Sequence, residues 1–234
     1  MTSYKKIASS PDVRRDPRND NSSMIITQIS QQKKNKNRVN IFLDGKFAFS
    51  LNIELLVKYH LKVDANIDDI QMQLIIKEND LLYWWERVIN FLSFRPRSKK
   101  EIIDYFKKKE VGEETQKVLL SKLIDRKYIN DMEFVDWFVR QRLNFKPKGQ
   151  KLLRLELMQK GIEKSTIDEY FANVPIVNET ETAFAIVQKK LLSWRNLDEF
   201  TRKQKITGFL GRRGYNWESI GVVLKRLKGY TDGI

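Results

Sequence analysis

The chain has 234 residues, 41% of them apolar, which is enough for one large core or two to three small ones and excludes disorder throughout. Lys and Arg outnumber Asp and Glu by 44 to 30, a formal net charge of +14, so polyanions are the expected partners. With no Cys and a single His, His60, disulfides, thiolate zinc sites and cysteine nucleophiles are excluded, and the composition fits a reducing compartment. No early apolar run has signal-peptide length, and no stretch approaches the ~18 apolar residues of a membrane span. The expectation is a cytoplasmic protein without a membrane partner.

Residues 1–23 mix Arg14, Arg15, Arg18, Asp12, Asp16 and Asp20 with Asn, Ser and Pro. They lack the spaced apolar side chains that offset ordering entropy, so a flexible tail is expected. From Ile25 the pattern alternates: Ile25, Thr27 and Ile29 are expected on one face, and Val39, Ile41 and Leu43 repeat the period before Asp44-Gly45 and the run Phe47 to Phe49. Asp-Gly between such runs is a hairpin signal. With the lysine-rich turn Gln31 to Asn37 and helical spacing at Leu51, Leu55, Leu56 and Tyr59, residues 24–80 read as a small domain of about three antiparallel strands and a helix.

Beyond residue 80 amphipathic helices take over. Ile102, Phe106 and Val111 align with Leu153, Leu157 and Ile162, and with Ile206, Leu210 and Tyr215. A longer helix precedes each aligned segment, carrying Val88, Ile89 and Leu92, then Phe134, Phe138 and Phe145, then Phe184, Val187 and Leu191. Another follows, carrying Val118, Leu119 and Leu123, then Ile167, Tyr170 and Phe171, then Ile220, Val223, Leu224 and Leu227. The predicted fold is mainly α: three tandem three-helix, helix-turn-helix-like repeats over 81–130, 131–175 and 176–234, forming an elongated curved array behind the small β-containing domain. Ser98 and Asp131 suit N-caps, and Gly161 and Gly214 suit helix C-termini, while the first repeat has Glu110 there and is expected to turn differently. Trp84, Trp85, Trp137, Trp194 and Trp217 are expected in cores or unit boundaries rather than against bases.

Basic residues recur where each middle helix begins: Arg95-Pro96-Arg97-Ser98, Lys146-Pro147-Lys148-Gly149 and Arg202-Lys203-Gln204-Lys205. Cations on the positive end of a helix dipole are locally unfavourable by ~0.3 to 1 kcal/mol each, and an external anion reverses that sign. Phosphate binding is one reading, and a solvated turn is the other. The candidate contacts are Arg95, Arg97, Lys99 and Lys100; Lys146, Lys148, Lys151 and Arg154; and Arg202, Lys203, Lys205, Arg212 and Arg213. Lys148, Lys151 and Arg154 drift slowly round one helix face, and Arg212 and Arg213 also fit a helix C-terminus electrostatically. Neutralising Arg95, Arg97, Lys146 and Lys148 is expected to leave the fold intact, as surface changes usually do.

Nothing nominates catalysis. No glycine-rich phosphate loop or nucleophile elbow appears, one His supplies no metal cluster, and the adjacent pairs Glu113-Glu114 and Asp68-Asp69 point in different directions on a helix. A non-enzymatic protein without a cofactor or metal is expected. A stand-alone helix-turn-helix DNA- or RNA-binding protein and a structural adaptor remain open alternatives on these grounds.

Several motifs are more specific than a helix-turn-helix pattern: Phe91-Leu92-Ser93-Phe94-Arg95-Pro96-Arg97-Ser98 leading to Glu101; Tyr128-Ile129-Asn130-Asp131 leading to Glu133-Phe134; and Arg142-Leu143 before Lys146-Pro147-Lys148-Gly149. Leu152-Leu153-Arg154-Leu155-Glu156-Leu157 with Lys160-Gly161-Ile162, and Phe209-Leu210-Gly211-Arg212-Arg213-Gly214-Tyr215, complete the set. In these the chain resembles the RecX family of bacterial recombination regulators over roughly residues 25 to 228. The resemblance implies a monomeric modulator that lodges in the groove of the RecA–DNA filament and restrains its ATPase, strand exchange and coprotease activities, in DNA repair and SOS control. It implies the RecA filament and single- and double-stranded DNA as partners, and it supplies no catalytic residues.

Overall fold

A computed structural model describes residues 23–174 and 179–231. Residues 1–22 of the expected tail lie outside the described residues. The chain divides into two compact units, Met1–Arg87 and Val88–Ile234.

The first unit is built on strands β1 (Met24–Gln31), β2 (Arg38–Leu43), β3 (Lys46–Asn52) and β4 (Asn66–Ile67), in the order β3-β2-β1-β4, with every neighbouring pair antiparallel. Asp44 and Gly45 close the β2–β3 hairpin, both at positive φ as a tight hairpin turn with matching twist demands. Val39, Ile41 and Leu43 are buried as the alternation predicts. The face predicted for Ile25, Thr27 and Ile29 is not the one β1 buries: Ile26 is fully buried, while Ile25 and Thr27 are exposed. The pairing with β2 shifts between Ile26 and Gln28, and one extra residue in a strand moves every later side chain to the opposite face. Ile29 is thereby returned to the core side. Strand β4 adds a fourth strand to the expected three, and its two residues are too short to show a period.

Asn52 caps helix α1 (Ile53–Lys58), its side chain accepting from the Glu54 amide. Helix α2 (Asp69–Ser93) then runs 25 residues without a break, so the expected division at residue 80 falls inside it. Its buried Asn79 accepts from the Asn52 amide at 3.1 Å and donates to the Ser50 carbonyl at 3.1 Å, satisfying backbone groups along β3 as another strand would.

In the second unit, the end of α2 joins α3 (Lys99–Lys108) and α4 (Glu113–Asp125) as the first repeat. Helices α5 (Asp131–Phe145), α6 (Gln150–Gln159) and α7 (Lys164–Asn173) form the second. Helix α8 (Glu179–Leu191) with a 3-10 turn, α9 (Glu199–Gly211) and α10 (Trp217–Thr231) form the third. All nine aligned residues are buried: Ile102, Phe106 and Val111; Leu153, Leu157 and Ile162; Ile206, Leu210 and Tyr215. Val88, Leu119 and Leu123 fill the first repeat, Phe134, Phe138, Ile167 and Tyr170 the second, and Phe184, Val187, Ile220, Val223 and Leu227 the third. Phe145 departs from the predicted apolar face, since it ends α5 and projects beyond the core.

Ser98 caps α3 as expected, accepting from the Glu101 amide at 3.2 Å. At α5 the cap is Asn130 rather than Asp131: the Asn130 side chain accepts from the Met132 and Glu133 amides, and Asp131 is the first helical residue. Asn and Asp cap about equally well, so an Asn-Asp pair leaves the boundary open by one residue.

Glu110 does not change its turn. It adopts φ 55°, matching Gly161 at 80° and Gly214 at 81°. The two glycines differ in being covered: a β-carbon on Gly161 would lie 2.8 Å from Lys100 Cβ, and one on Gly214 would lie 2.4 Å from Leu152 Cβ. Glu110 is exposed, so only backbone strain opposes its side chain, roughly 1 to 2 kcal/mol for a left-handed residue. Glu110→Gly removes that strain and adds unfolded-chain entropy of ~0.5 to 1 kcal/mol. A net stabilisation of ~0.5 to 1 kcal/mol is expected in urea unfolding, and a loss would show that the Glu110 side chain holds a contact of its own.

Candidate nucleic-acid interface

The first two basic segments share a place in the repeat, where the first helix hands over to the middle helix, but the third does not: Asp198 caps α9 one turn earlier than the alignment predicts, so Arg202-Lys203-Gln204-Lys205 lies inside the helix rather than at its start. The first two places also form the junctions between successive repeats. At the first junction Ser98, fully buried, donates its Oγ hydrogen to the Lys160 carbonyl at 2.7 Å, and Lys100 Nζ donates to the Gln159 carbonyl at 2.8 Å. At the second, the Gly149 amide donates to the Arg213 carbonyl at 2.9 Å, and the Gln150 amide donates to Glu179 at 2.9 Å. In each case the start of one middle helix meets the end of the middle helix in the following repeat. Positive and negative helix ends are thereby set against each other.

This arrangement alters the anion argument for α6, where the leading amides of Gly149 and Gln150 already have acceptors within the protein. At α9 the N-cap is Asp198, whose carboxylate accepts from the Thr201 amide, so that helix start carries its own negative charge.

The cations divide into those turned inward and those left outward. Arg95 grips Glu101 with two hydrogen bonds, at 2.8 and 3.2 Å, and its guanidinium lies 4.8 Å from the centre of the Trp137 ring. Lys160 reaches the same carboxylate at 2.8 Å, so Glu101 ties the first repeat to the second. Arg142 and Lys148 both bind Glu156, Arg142 at 2.8 Å. Burial works against ionisation of both carboxyls, but the hydrogen bonds and charges of these cations hold Glu101 and Glu156 below the usual carboxylate range. Arg97 lies over the Phe91 ring at 3.7 Å; burial first, and then the Arg95 charge, lower its pKa. Arg154 pairs with Asp168 and covers Phe171, Arg213 covers Phe209, and Arg202 donates to the Arg195 and Leu197 carbonyls.

Lys99, Lys146, Lys151, Lys203, Lys205 and Arg212 are exposed and make no ion pair among the described residues. Lys99 and Lys203 align in the repeat, and Lys151 aligns with Lys100, whereas Lys146 follows α5 and Arg212 ends α9. Sequence periodicity located the basic clusters but did not separate these side chains from their inward neighbours. Lys160 and Arg142 were missed because neither stands in a basic run.

A cavity of about 300 Å³ opens at the first junction, lined by Lys100, Glu101, Asp104, Phe138, Arg142, Glu156, Gln159 and Lys160. Its charges largely neutralise one another. Among the described residues no group of three or more His, Asp or Glu side chains is placed to hold a metal ion, and no helix is long and apolar enough to cross a membrane. Of the tryptophans, Trp137 and Trp194 border cores as predicted, whereas Trp217, at the first turn of α10, is 77% exposed.

Comparison with known proteins gives matches along most of the chain. Residues 24–68 match the regulatory protein RecX N-terminal domain, and residues 85–123, 130–170 and 178–224 match the first, second and third three-helix domains of RecX. "Regulatory protein RecX" of Bacillus subtilis is 35% identical over 207 residues, covering 88% of this chain and 78% of that protein. The protein of the same name from Bacillus cytotoxicus is 32% identical over 212 residues, covering 89% and 78%. A crystal structure of regulatory protein RecX superposes with a TM-score of 0.66 at 29% identity, over 86% of this chain and 98% of that one. A structure of RecX from Lactobacillus salivarius shares the fold, with a TM-score of 0.58 at 23% identity, over 64% of this chain and 98% of that one.

Proposed function

The chain belongs to the RecX family of regulatory proteins, and we propose that it modulates RecA by lodging in the groove of the RecA–DNA filament. There it restrains ATP hydrolysis, strand exchange and coprotease activity, acting as a cytoplasmic monomer without turnover of its own. The observation that supports this most is the division of the cations. Inward residues such as Arg95 and Lys148 join or brace the repeats, while Lys99, Lys146, Lys151, Lys203 and Lys205 remain exposed just before, or within the first two turns of, the middle helices. Exposed lysines without ion pairs, present in each of the three units, suit a polyanionic surface such as DNA phosphates or filament carboxylates.

The test adds the pure protein to RecA, single-stranded DNA and ATP and follows ATP hydrolysis and filament length. The wild type is expected to slow hydrolysis. Replacing the five exposed lysines by Gln is expected to weaken that effect while leaving the circular dichroism unchanged, because none of them pairs within the described residues. Each lost phosphate contact also lowers the slope of log affinity against log salt by up to ~0.7 on single strands. If the wild type leaves RecA untouched, the filament reading fails. If it acts and the variant acts equally, the lysines are solvated and the binding face lies elsewhere.

A further inference from the structure

Phe94 and Phe145 stand at corresponding points of the first two repeats, with the same separation as Ile102 from Leu153, Phe106 from Leu157 and Val111 from Ile162. Each follows or ends the first helix of its repeat, and each precedes a basic-Pro-basic segment. The two residues are 76% and 75% exposed, and neither ring stacks on another ring or a cation among the described residues. The neighbouring aromatics are spent differently: Phe91 is covered by Tyr105 and Arg97, and Phe138 and Trp137 lie against Phe134. Because the middle helices meet end to end at both junctions, the repeated position recurs in a comparable setting from one unit to the next.

We infer that Phe94 and Phe145 are stacking platforms for the bases of single-stranded nucleic acid, with the exposed lysines beside them taking the intervening phosphates. A single bare ring among Ser93, Asn144 and Lys146, all exposed, does not form the contiguous apolar patch that a protein groove would cover. Lysine is depleted from the centres of protein interfaces, whereas aromatic rings interleaved with cations are the standard equipment of single-strand binding. Duplex DNA offers no free base faces to such rings. The third repeat has Asp198 at the corresponding point, where it caps α9, so the platform is confined to the first two units. Phe200, also exposed, lies inside the first turn of α9 rather than before a basic-Pro-basic segment, so it does not stand at the repeated position. The assignment deepens the filament reading, since it supplies the base contact that a phosphate-binding face lacks.

The experiment measures fluorescence anisotropy of the full chain with an oligothymidine and with an abasic oligonucleotide of the same length. The wild type is expected to prefer the oligothymidine. Phe94→Ala and Phe145→Ala should each weaken oligothymidine binding roughly fivefold or more, the double variant should lose the preference, and the salt slope should hold, since no phosphate contact is removed. Phe145→Trp should retain binding and show quenching of its indole when the oligothymidine is added. No base preference in the wild type, or a preference that survives the double substitution, would overturn the assignment. Loss of the RecA effect by the double variant with unchanged oligonucleotide binding would overturn it too, because the rings would then meet protein. The filament reading is judged separately by wild-type inhibition of RecA ATP hydrolysis, which stands or falls whatever the oligonucleotides show.

Discussion

Replacing Gly214 by Ala is expected to uncouple the third repeat from the second. The residue has φ 81°, which costs an L side chain roughly 1 to 2 kcal/mol. The new β-carbon would also lie 2.6 Å from the Leu152 backbone nitrogen and 2.4 Å from its Cβ. A backbone atom in a helix cannot swing aside, so overpacking adds about 1 to 3 kcal/mol, and a total near 3 kcal/mol is expected in urea unfolding. Gly149→Ala separates the two effects. Its φ of −72° is ordinary, yet a β-carbon there would lie 2.2 Å from the Gly214 carbonyl oxygen, so its cost is that of contact alone. Gly112→Ala meets open space and is expected within ~0.5 kcal/mol of the wild type. Hydrogen exchange in Gly214→Ala should quicken first in α9 and α10. Wild-type stability in both junction variants would refute the end-to-end stacking of the middle helices.

The second large effect is acid loss of the first junction. Glu101 and Glu156 are held ionised in the folded state by Arg95 and Lys160 and by Lys148 and Arg142, against the cost of burial. Their folded pKa values therefore lie below the unfolded values near 4.3 to 4.5. A depressed carboxyl pKa contributes stability that is complete above the unfolded value and is lost as pH falls through the folded one. Glu101→Gln is expected to cost about 2 kcal/mol at pH 7, the scale of hydrogen bonds to a charged group, and much less near pH 3. The wild-type unfolding midpoint should fall steeply below about pH 4.5, with a shallower fall in the variant. Equal costs at both pH values would show that Glu101 acts by shape rather than charge. The same geometry corrects an expectation from the sequence. Arg95→Gln and Lys148→Gln remove partners of mostly buried carboxylates, so they weaken the fold, and a variant carrying both does not report on binding alone. Lys146 and Lys151 are cleaner probes.

The repeat was legible because core positions obey a rigid spatial period. Ile102, Leu153 and Ile206 must each face the two flanking helices of their own unit, and nothing else in the chain relaxes that demand. The β2 face was legible for the same reason with a period of two. The β1 face was not, because a bulge near Thr27 shifts the phase without any Gly or Pro to mark it.

The sequence by itself determined the three-unit helical plan, the hairpin at Asp44-Gly45 and the places where positive charge gathers, since all three follow from local spacing and residue type. Tertiary structure alone decided which cations face inward. Glu101 meets Lys160 across 59 residues, and Ser98 meets the Lys160 carbonyl across 62; no window on the sequence sees both partners. It also decided why Gly161 and Gly214 must lack a side chain while Glu110 keeps one, and why Phe145 is bare while Phe138 is buried. For the two glycines the deciding quantity is what lies against them from the preceding repeat, and for Phe138 it is the core of its own unit; both are fixed only when the helices pack.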